Sequence, residues 1–177
     1  LPVMILAAIA VKLYDRGPLL FKQVRLGKDG RRFYCYKFRS MCEDAESRKA
    51  SLLGINEQDG PAFKLKKDPR VTPVGKIIRK YSIDEFPQLF NVLLGDMSLV
   101  GPRPPVPAEV ARYSWWQRRR ISVRPGLTCL WQVKGRNKVS FEKWMEMDLF
   151  YIDNWSLWMD IKLMAQTMPA VVRGTGS

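Results

Sequence analysis

The sequence predicts a single α/β domain that is mostly helical and carries one small β-hairpin. Its 177 residues are enough for one domain with a real core. Apolar residues recur at helical spacing in three stretches, which predicts amphipathic helices there. A turn signal, Asp29-Gly30, separates two runs of aromatic, branched and apolar residues, which is typical of a hairpin. The helical stretches are 84–94, 140–151 and 156–168, and the hairpin runs are 19–26 and 31–38.

The composition indicates an anionic partner. The chain has 30 Lys and Arg against 17 Asp and Glu, a net charge of +13. Nucleic acid, anionic lipid and phosphorylated substrates all fit such an excess. The chain contains no histidine, which excludes Ser-His-Asp and Cys-His catalysis and most zinc chemistry. A general base would have to be a carboxylate, lysine, tyrosine or cysteine.

The three cysteines are odd in number and form no CxxC pair. They are therefore expected to be reduced packing residues in a cytosol-facing protein. The cysteines are Cys35, Cys42 and Cys129.

Residues 1–11 form an uninterrupted apolar segment that ends at Lys12. The segment is shorter than the ~20 residues of a membrane-spanning helix, so two interpretations stand. One is a buried core helix. The other is half of a membrane-inserted helix, broken at Pro2, whose beginning is missing. Nine Lys and Arg against two acids in residues 1–42 favour an anchor on an anionic cytoplasmic leaflet.

Between the hairpin and the centre of the chain, composition predicts a short helix at 43–53 and a loop at 54–67. Another helix is expected to start at Pro73, because proline suits a first helical position. Its expected apolar side consists of Val74, Ile77 and Ile78.

The stretch 79–88 is the strongest candidate for chemistry. Ser82 and Glu85 have the spacing of a capping box, so Asp84 and Glu85 are expected at the start of a helix that ends at Gly95. Free backbone N–H groups there favour anions, and two cations stand just upstream, so a phosphate, a metal ion and a carboxylate could meet. The alternative is an ordinary capped helix, since acids are common in first turns.

A rigid turn at 101–105 carries one arginine, Arg103, which suits a phosphate or a nucleobase edge, although plain connecting turns look similar. A second rigid cationic turn is expected at 124–128. A strand is expected at 130–133 and a turn at 135–137. Residues 101–140 carry nine Lys and Arg against one acid, and Trp115 and Trp116 stand just before the run of three arginines at 118–120. This pattern fits nucleic acid or a membrane interface equally well.

Two helices are expected near the C-terminus. The first, 140–151, has one apolar side, and the second, 156–168, is capped by Ser156 and ended or kinked by Pro169. Both helices can be interpreted as helices that pack on the core. The second is rich in Trp and Met, so it could also lie in a membrane interface. Its stripe consists of Leu157, Ile161, Met164 and Met168.

Many of these motifs, in this order, resemble the bacterial sugar transferases that act as polyprenyl-phosphate hexose-1-phosphate transferases, the small monotopic phosphoglycosyl transferases. The resemblance covers nearly the whole chain. Two positions depart from the usual pattern: Phe86, where leucine is common, and Cys129, where glycine is common. The motifs that carry the resemblance are 17–18, 21–23, 37–41, 68–70, 79, 82–89, 95–104, 124–128, 130–133 and 154–157.

The resemblance implies a reaction. Asp84 would be the nucleophile of an Asp-Glu dyad, attacking a UDP-sugar to form a phosphosugar-aspartyl intermediate and release UMP. Undecaprenyl phosphate would then accept the sugar phosphate. Mg²⁺ would be bound by Asp84, Glu85 and the substrate. The implied substrate-binding residues are Lys37, Arg39, Arg79, Gln88, Pro102, Arg103, Pro104, Arg124 and Asp148.

The resemblance also implies location and organisation. Residues 1–12 would be the C-terminal half of a re-entrant membrane helix, 13–173 the α+β catalytic domain with interfacial amphipathic helices, and 174–177 a flexible tail. The chain would sit on anionic lipids at the cytoplasmic face of the bacterial cytoplasmic membrane, without nucleic acid. The transferred sugar and the glycan stay open, as does the oligomeric state, with a homodimer among the alternatives. The rival hypothesis is a basic binding module without catalysis.

Overall fold

The computed structural model describes residues 2–134, 139–172 and 174. The helices are Pro2–Asp15 (α1), Ala45–Leu52 (α2), Pro73–Lys80 (α3), Gln88–Leu93 (α4), Pro107–Val110 (α5), Leu130–Lys134 (α6), Phe141–Asp153 (α7) and Leu157–Val172 (α8). The strands are Leu20–Leu26 (β1), Arg32–Phe38 (β2), Ser98–Val100 (β3) and Gly126–Thr128 (β4). Short 3-10 turns occupy Lys28–Gly30, Leu53–Ile55, Ile83–Glu85 and Gln117–Ser122. The predicted fold class, mostly helical with a small sheet, is confirmed. The division into an anchor segment, a catalytic domain and a tail stays a prediction. The predicted turn at 135–137 and most of the predicted tail at 174–177 lie outside the described residues.

The predicted hairpin is confirmed. Strands β1 and β2 pair antiparallel, from Leu20 opposite Phe38 to Leu26 opposite Arg32. Asp29 adopts a left-handed conformation at φ 56° and Gly30 at φ 77°, the conformations that an Asp-Gly turn supplies at low cost.

A second, parallel sheet was not predicted. Strands β3 and β4 pair at Ser98 with Gly126 and at Val100 with Thr128. At Gly126 an added Cβ would lie 2.0 Å from the backbone N of Gly101, so only glycine allows the two chains to approach this closely. The prediction that 124–128 is only a turn is therefore wrong for its last three residues.

The strand predicted at 130–133 is a helix, α6. Leu130 is buried in a core cluster with α7 and α8, and the Trp131 ring stacks on Trp144 of α7 with centroids 4.6 Å apart. A segment of four residues with three apolar side chains fits both the strand and the helix period, and tertiary packing decides between them.

Four other helix predictions are confirmed in type. Helix α2 lies within 43–53 and α3 begins at Pro73, capped by Thr72, whose Oγ1 accepts a hydrogen bond from Gly75 N at 2.9 Å. Ser140 and Ser156 cap α7 and α8 in the same way. Helix α8 runs through Pro169 to Val172, so the helix does not end at the proline, and the alternative that Pro169 kinks it stays a prediction.

Several predicted apolar sides are turned outward. Ile77 of α3 is 62% exposed, while Ile78 beside it is buried. On α8 most of the predicted stripe is exposed, and Leu163 is the buried anchor instead. A helical period identifies a face but does not tell which face meets the protein.

The core is divided into small clusters around the two sheets. The largest joins β1, the segment near Ala62, α5 and α7. Cys35 and Cys129 are buried free thiols, as predicted, and Cys42 is half-buried. The buried members of the largest cluster are Leu26, Ala62, Val110, Tyr113, Phe141, Trp144 and Met145.

Candidate active site

The two acids lie in a tight 3-10 turn, Ile83–Glu85, and not in the first turn of an α-helix. Ser82 adopts a left-handed conformation (φ 54°), and the predicted capping box does not form among these described residues. Helix α4 begins only at Gln88. An α-helix from Ile83 would place Pro87 in its interior, where the ring clashes with the carbonyl four residues earlier. The predicted helix start is therefore wrong, whereas the predicted stop at Gly95 (φ 81°) is confirmed.

The two carboxylates of this turn have different surroundings. Asp84 is 8% exposed, whereas Glu85 accepts a hydrogen bond from Lys37 Nζ of β2 at 2.6 Å. Burial raises the pKa of Asp84 to about 6; Lys37 and Arg79 oppose the rise and the charge of Glu85 adds to it. Burial also acts to raise the pKa of Glu85, but Lys37 outweighs it and holds that pKa below its usual range. Adjacent acids whose pKa values diverge are typical of sites with divided roles.

The turn opens onto a cavity of about 2000 Å³. A nucleotide sugar fits within such a volume, which exceeds the usual range of small-molecule pockets. Six of the residues predicted for the site line this cavity. They are Lys37, Arg39, Arg79, Asp84, Glu85 and Arg103.

Arg39 is a buried cation that already has acidic partners. Its guanidinium pairs with Asp15 at the end of α1 and with Glu43 at 3.2 Å. An added Cβ at Gly17 would lie 2.1 Å from the Glu43 carboxylate, so the glycine leaves room for this cluster. Arg39 thus ties the hairpin to α1, and its predicted binding of phosphate stays a prediction.

Arg103 projects from the predicted rigid turn between β3 and α5. Its guanidinium lies 3.9 Å from the buried carboxylate of Glu109 and 5.7 Å from the centre of the Trp144 ring. The turn itself is fixed by Gly126 N, which donates to the Pro102 carbonyl at 2.9 Å. The rigid backbone of the turn thereby holds the half-buried Arg103 guanidinium at the cavity.

Asp148 lies in the interior and away from the cavity surface. It accepts from Arg120 Nε at 2.6 Å, and both side chains are 1% exposed. Arg120 also donates to the Tyr113 hydroxyl and to the Arg103 carbonyl, at 2.8 and 2.7 Å. This pair supports the Arg103 turn from behind, so its position favours an indirect role over the predicted substrate contact.

Other predicted positions also lie outside the cavity lining. Gln88, Pro102 and Pro104 are buried beneath it, while Arg124 is exposed just before β4. Pro2 is the first residue of α1, and its predicted role in a membrane segment stays a prediction.

Comparison with known proteins shows the family to which this chain belongs. The family model described as bacterial sugar transferase matches residues 1–174. A galactosyl transferase CpsE of Streptococcus agalactiae serotype III is 52% identical over 164 residues, covering 92% of this chain and 36% of the relative. The chain belongs to the bacterial sugar transferase family.

Two further relatives carry names that specify lipid and sugar. An undecaprenyl-phosphate galactose phosphotransferase of Salmonella typhimurium is 46% identical over 92% of this chain and 35% of its own length. A UDP-N-acetylgalactosamine-undecaprenyl-phosphate N-acetylgalactosaminephosphotransferase of Aeromonas hydrophila is 41% identical over 99% of this chain and 40% of its own length. The chain therefore spans between a third and two fifths of these relatives.

The sequence analysis did not identify three buried polar residues at the cavity or next to it. Arg25 and Glu109 are buried cavity-lining residues that look like ordinary charges of a strand and a short helix. Asn91 of α4 is fully buried, accepting from Tyr36 N at 3.1 Å and donating to the Tyr34 carbonyl at 2.8 Å. The sequence carried one signal for the buried face of α4. Gln88 and Asn91 are its two polar residues, and their spacing of three places them on one side of an otherwise apolar helix.

Three helices of this family member expose apolar faces. Helix α4 turns its polar residues inward and its apolar ones outward, and α1 and α8 also expose large apolar side chains. Within the described residues, every helix is too short or too polar to cross a membrane. The exposed side chains, here called the apolar helix faces, are Val3, Ile5, Leu6, Ile9, Leu13, Leu89, Phe90, Leu93, Leu94, Leu157, Trp158, Ile161, Met168 and Val172.

Proposed function

We propose that this chain is a phosphoglycosyl transferase that moves a sugar 1-phosphate from a UDP-sugar to undecaprenyl phosphate. The observation that carries the proposal is the pair Asp84 and Glu85 at a cavity also lined by Lys37, Arg79 and Arg103. Such a site offers a carboxylate nucleophile and phosphate-binding cations in one place. The relatives' names, which specify galactose, N-acetylgalactosamine and undecaprenyl phosphate, support it.

In the first step, a carboxylate oxygen of Asp84 attacks the phosphorus atom that bears the sugar. The new P–O bond forms as the bond to the bridging oxygen breaks, and UMP leaves with that oxygen and its electron pair. Asp84 must be ionised for this attack, and a pKa of about 6 leaves it ionised at neutral pH. A phosphosugar-aspartyl intermediate remains on the protein.

In the second step, a phosphate oxygen of the lipid attacks the same phosphorus. The bond to Asp84 breaks and its carboxylate is regenerated, so the scheme is ping-pong and needs no histidine. Lys37 and Arg79 stabilise the charge on the oxygens of the transferred phosphoryl group in both steps, and Arg103 stabilises phosphate charge of the donor. Arg39 and Arg124 are further candidates for this role.

Mg²⁺ is the cofactor that we propose for this site, on the chemistry of its ligands. Asp84 and Glu85 supply hard oxygen atoms, the type that Mg²⁺ prefers. The described part of the chain contains no cluster of three or more His, Cys, Asp or Glu side chains that could hold a metal alone. Phosphate oxygens of the donor and water would complete the ligands, and the bound ion would neutralise diphosphate charge.

The acceptor is a membrane lipid, so the active site has to work at a membrane surface. The apolar helix faces and the net charge of +13 suit an anionic bilayer approached from one side. We infer a monotopic protein on the cytoplasmic face of the bacterial cytoplasmic membrane, where the nucleotide sugar is available. Synthesis of an exopolysaccharide, capsule or O-antigen would follow from its product.

The test is the mass of the intact protein after incubation with UDP-sugars and Mg²⁺, without lipid acceptor. We expect the wild type to gain the mass of one sugar phosphate and to release UMP, whereas Asp84→Asn gains nothing. Asp29→Asn, at the exposed hairpin turn, is the matched control and should form the adduct like the wild type.

An adduct that persists in Asp84→Asn would show that another residue is the nucleophile. Absence of any adduct, with lipid-dependent turnover unchanged in Asp84→Asn, would remove the covalent route. Absence of turnover in a membrane-reconstituted preparation would favour the basic binding module.

A further inference from the structure

Arg25 of β1 is a buried cation in contact with neutral groups. Its side chain donates from Nη1 to the Pro104 carbonyl at 2.8 Å and from Nη2 to the Gln23 side-chain oxygen at 2.5 Å. Its Nε is buried, and the structure of the described residues provides it with no hydrogen-bond partner. Arg25 is 8% exposed and lines the cavity.

The other buried arginines behave differently. Arg70 pairs with Asp68 and Arg120 with Asp148, each at 2.6 Å, and Arg39 pairs with two acids. Within the described residues, Arg25 is the one buried arginine that has no carboxylate at ion-pair distance. A guanidinium stays charged in proteins, and burying it without a counter-ion costs several kcal/mol. A buried, unpaired cation at a cavity therefore indicates an anionic ligand.

A second cation reinforces this indication. Burial lowers the pKa of Arg25 to about 10, and the next largest cause is the charge of Arg103. The nearby acid is Glu109, which pairs loosely with Arg103 at 3.9 Å and accepts from Val106 N at 3.2 Å. Glu109 therefore balances at most one of the two arginine charges, and the cluster keeps an excess positive charge beside the cavity.

The register of the hairpin places Arg25 relative to the acidic turn. Arg25 lies opposite Phe33, and Phe21 lies opposite Lys37, so Arg25 and Lys37 point to the same face of the hairpin. Arg25 lies four positions along β1 from Phe21, the partner of Lys37, which corresponds to about 13 Å along the strand direction. Lys37 contacts Glu85, whereas Arg25 lies farther along, beside the Arg103 turn.

We propose that Arg25 is a further substrate-binding residue, which together with Arg103 takes the nucleotide-side phosphate of the donor. The proposal rests on the proposed function. When the bond to the bridging oxygen breaks, negative charge accumulates on this phosphate as UMP leaves. Two arginines at that position stabilise the leaving group. Lys37 and Arg79 stabilise the charge on the oxygens of the phosphate that Asp84 attacks.

The experiment compares the binding of UMP and uridine to the whole chain by calorimetry. The wild type should prefer UMP, and Arg25→Gln should reduce this preference about tenfold or more, as the loss of a charge-assisted hydrogen bond predicts. Arg25→Lys keeps the charge and should show an intermediate preference. Arg32→Gln, an exposed position on the same hairpin, is the matched control and should keep the wild-type ratio.

An unchanged UMP-to-uridine ratio in Arg25→Gln, or in Arg25→Lys if the first variant does not fold, would overturn the proposal. A wild type that shows no preference for UMP would contradict the proposed function itself. Inorganic phosphate then tests Arg25 separately. It should raise the melting temperature of the wild type and of Arg32→Gln but not of Arg25→Gln, and an equal rise in all three would overturn the anion site.

Discussion

Asp84 and Glu85 are neighbours in the chain, yet their ionisation is controlled in opposite directions. Burial dominates at Asp84 and raises its pKa to about 6, whereas the ammonium of Lys37 lowers the pKa of Glu85. The ionised form of Asp84 is therefore poorly solvated and reactive, while Glu85 stays a fixed negative charge. This asymmetry is the physical reason for assigning the nucleophile to Asp84 and a supporting role to Glu85.

The raised pKa has a consequence for stability. The folded protein binds a proton at Asp84 more tightly than the unfolded chain, so the fold loses stability as the pH rises from about 4 to about 6, and the full cost remains at higher pH. Asp84→Asn removes this cost, and we expect its free energy of unfolding to exceed that of the wild type by up to about 3 kcal/mol at pH 8. Below pH 4 both states are protonated and the difference should vanish.

Denaturant unfolding of the two proteins between pH 4 and pH 8 measures this difference, with Asp29→Asn as the control for the amide itself. A pH-independent difference between Asp84→Asn and the wild type would show that ionisation of Asp84 is not the cause.

The buried pair of Asp148 and Arg120 leads to a second prediction. Asp148→Asn leaves the Arg120 guanidinium without its counter-ion in the interior, and we expect a loss of about 3–5 kcal/mol in unfolding free energy. Urea denaturation measures it. Arg120→Met combined with Asp148→Leu removes both charges and should recover much of the loss. A fully stable Asp148→Asn with weakened donor binding would instead support the substrate contact expected from the sequence.

At the scale of elements, local chemistry was predictable and orientation was not. The Asp29-Gly30 turn, the Ser156 cap and the Gly95 stop depend on residues close in sequence, and all three were predicted correctly. The helix at 130–134 and the outward apolar side of α4 depend on partners far along the chain. A short apolar run or a helical stripe carries no information about those partners.

The site shows the same division. Lys37 and Glu85 are 48 residues apart, and no spacing rule brings them together; their shared site was implied by a resemblance. The burial of Arg25 and the Arg120–Asp148 pair had no local signal, because each depends on how separate segments pack.

Helix α3 positions the acidic turn, and Gly75 lets it pack closely. An added Cβ at this buried glycine would lie 1.9 Å from the backbone oxygen of Ser40. We expect Gly75→Ala to lower the unfolding free energy by about 1–3 kcal/mol through overpacking, and to shift α3 relative to the hairpin. Thermal unfolding measures the change. Gly54→Ala is the matched control, because its Cβ would meet nothing within 4 Å, and equal stability of the two variants would contradict the close packing.

Helix α4 is amphipathic in the reverse sense of an ordinary surface helix. Asn91 fastens it to the backbone of β2, and its leucines and phenylalanine face outward. Exposed apolar faces of this kind mark interaction sites, which agrees with the proposal that α4 meets a membrane. The helix follows the acidic turn directly, which would bring Asp84 close to whatever surface α4 meets.

For the whole molecule, the proposed function requires charge and apolar area to act together at a membrane. On this proposal, the net charge of +13 would attract the chain to anionic lipid over a Debye length of about 8–10 Å, and the attraction would weaken as salt rises. Insertion of the apolar helix faces adds a contribution that salt does not screen. Binding should therefore fall with ionic strength to a plateau and not to zero.

Leu93 of α4 tests the apolar contribution, because it is 82% exposed and its replacement leaves the core intact. We expect Leu93→Ser to lower the affinity for anionic vesicles about tenfold, since burying a leucine contributes roughly 1.5–3 kcal/mol and a tenfold change corresponds to about 1.4 kcal/mol. The loss should persist at high salt, as measured by vesicle sedimentation. Ile55→Ser changes an equally apolar, exposed residue outside these faces and should bind like the wild type. Equal losses in both variants would mean that binding is unspecific, and no loss in either would mean that charge alone holds the chain on the lipid.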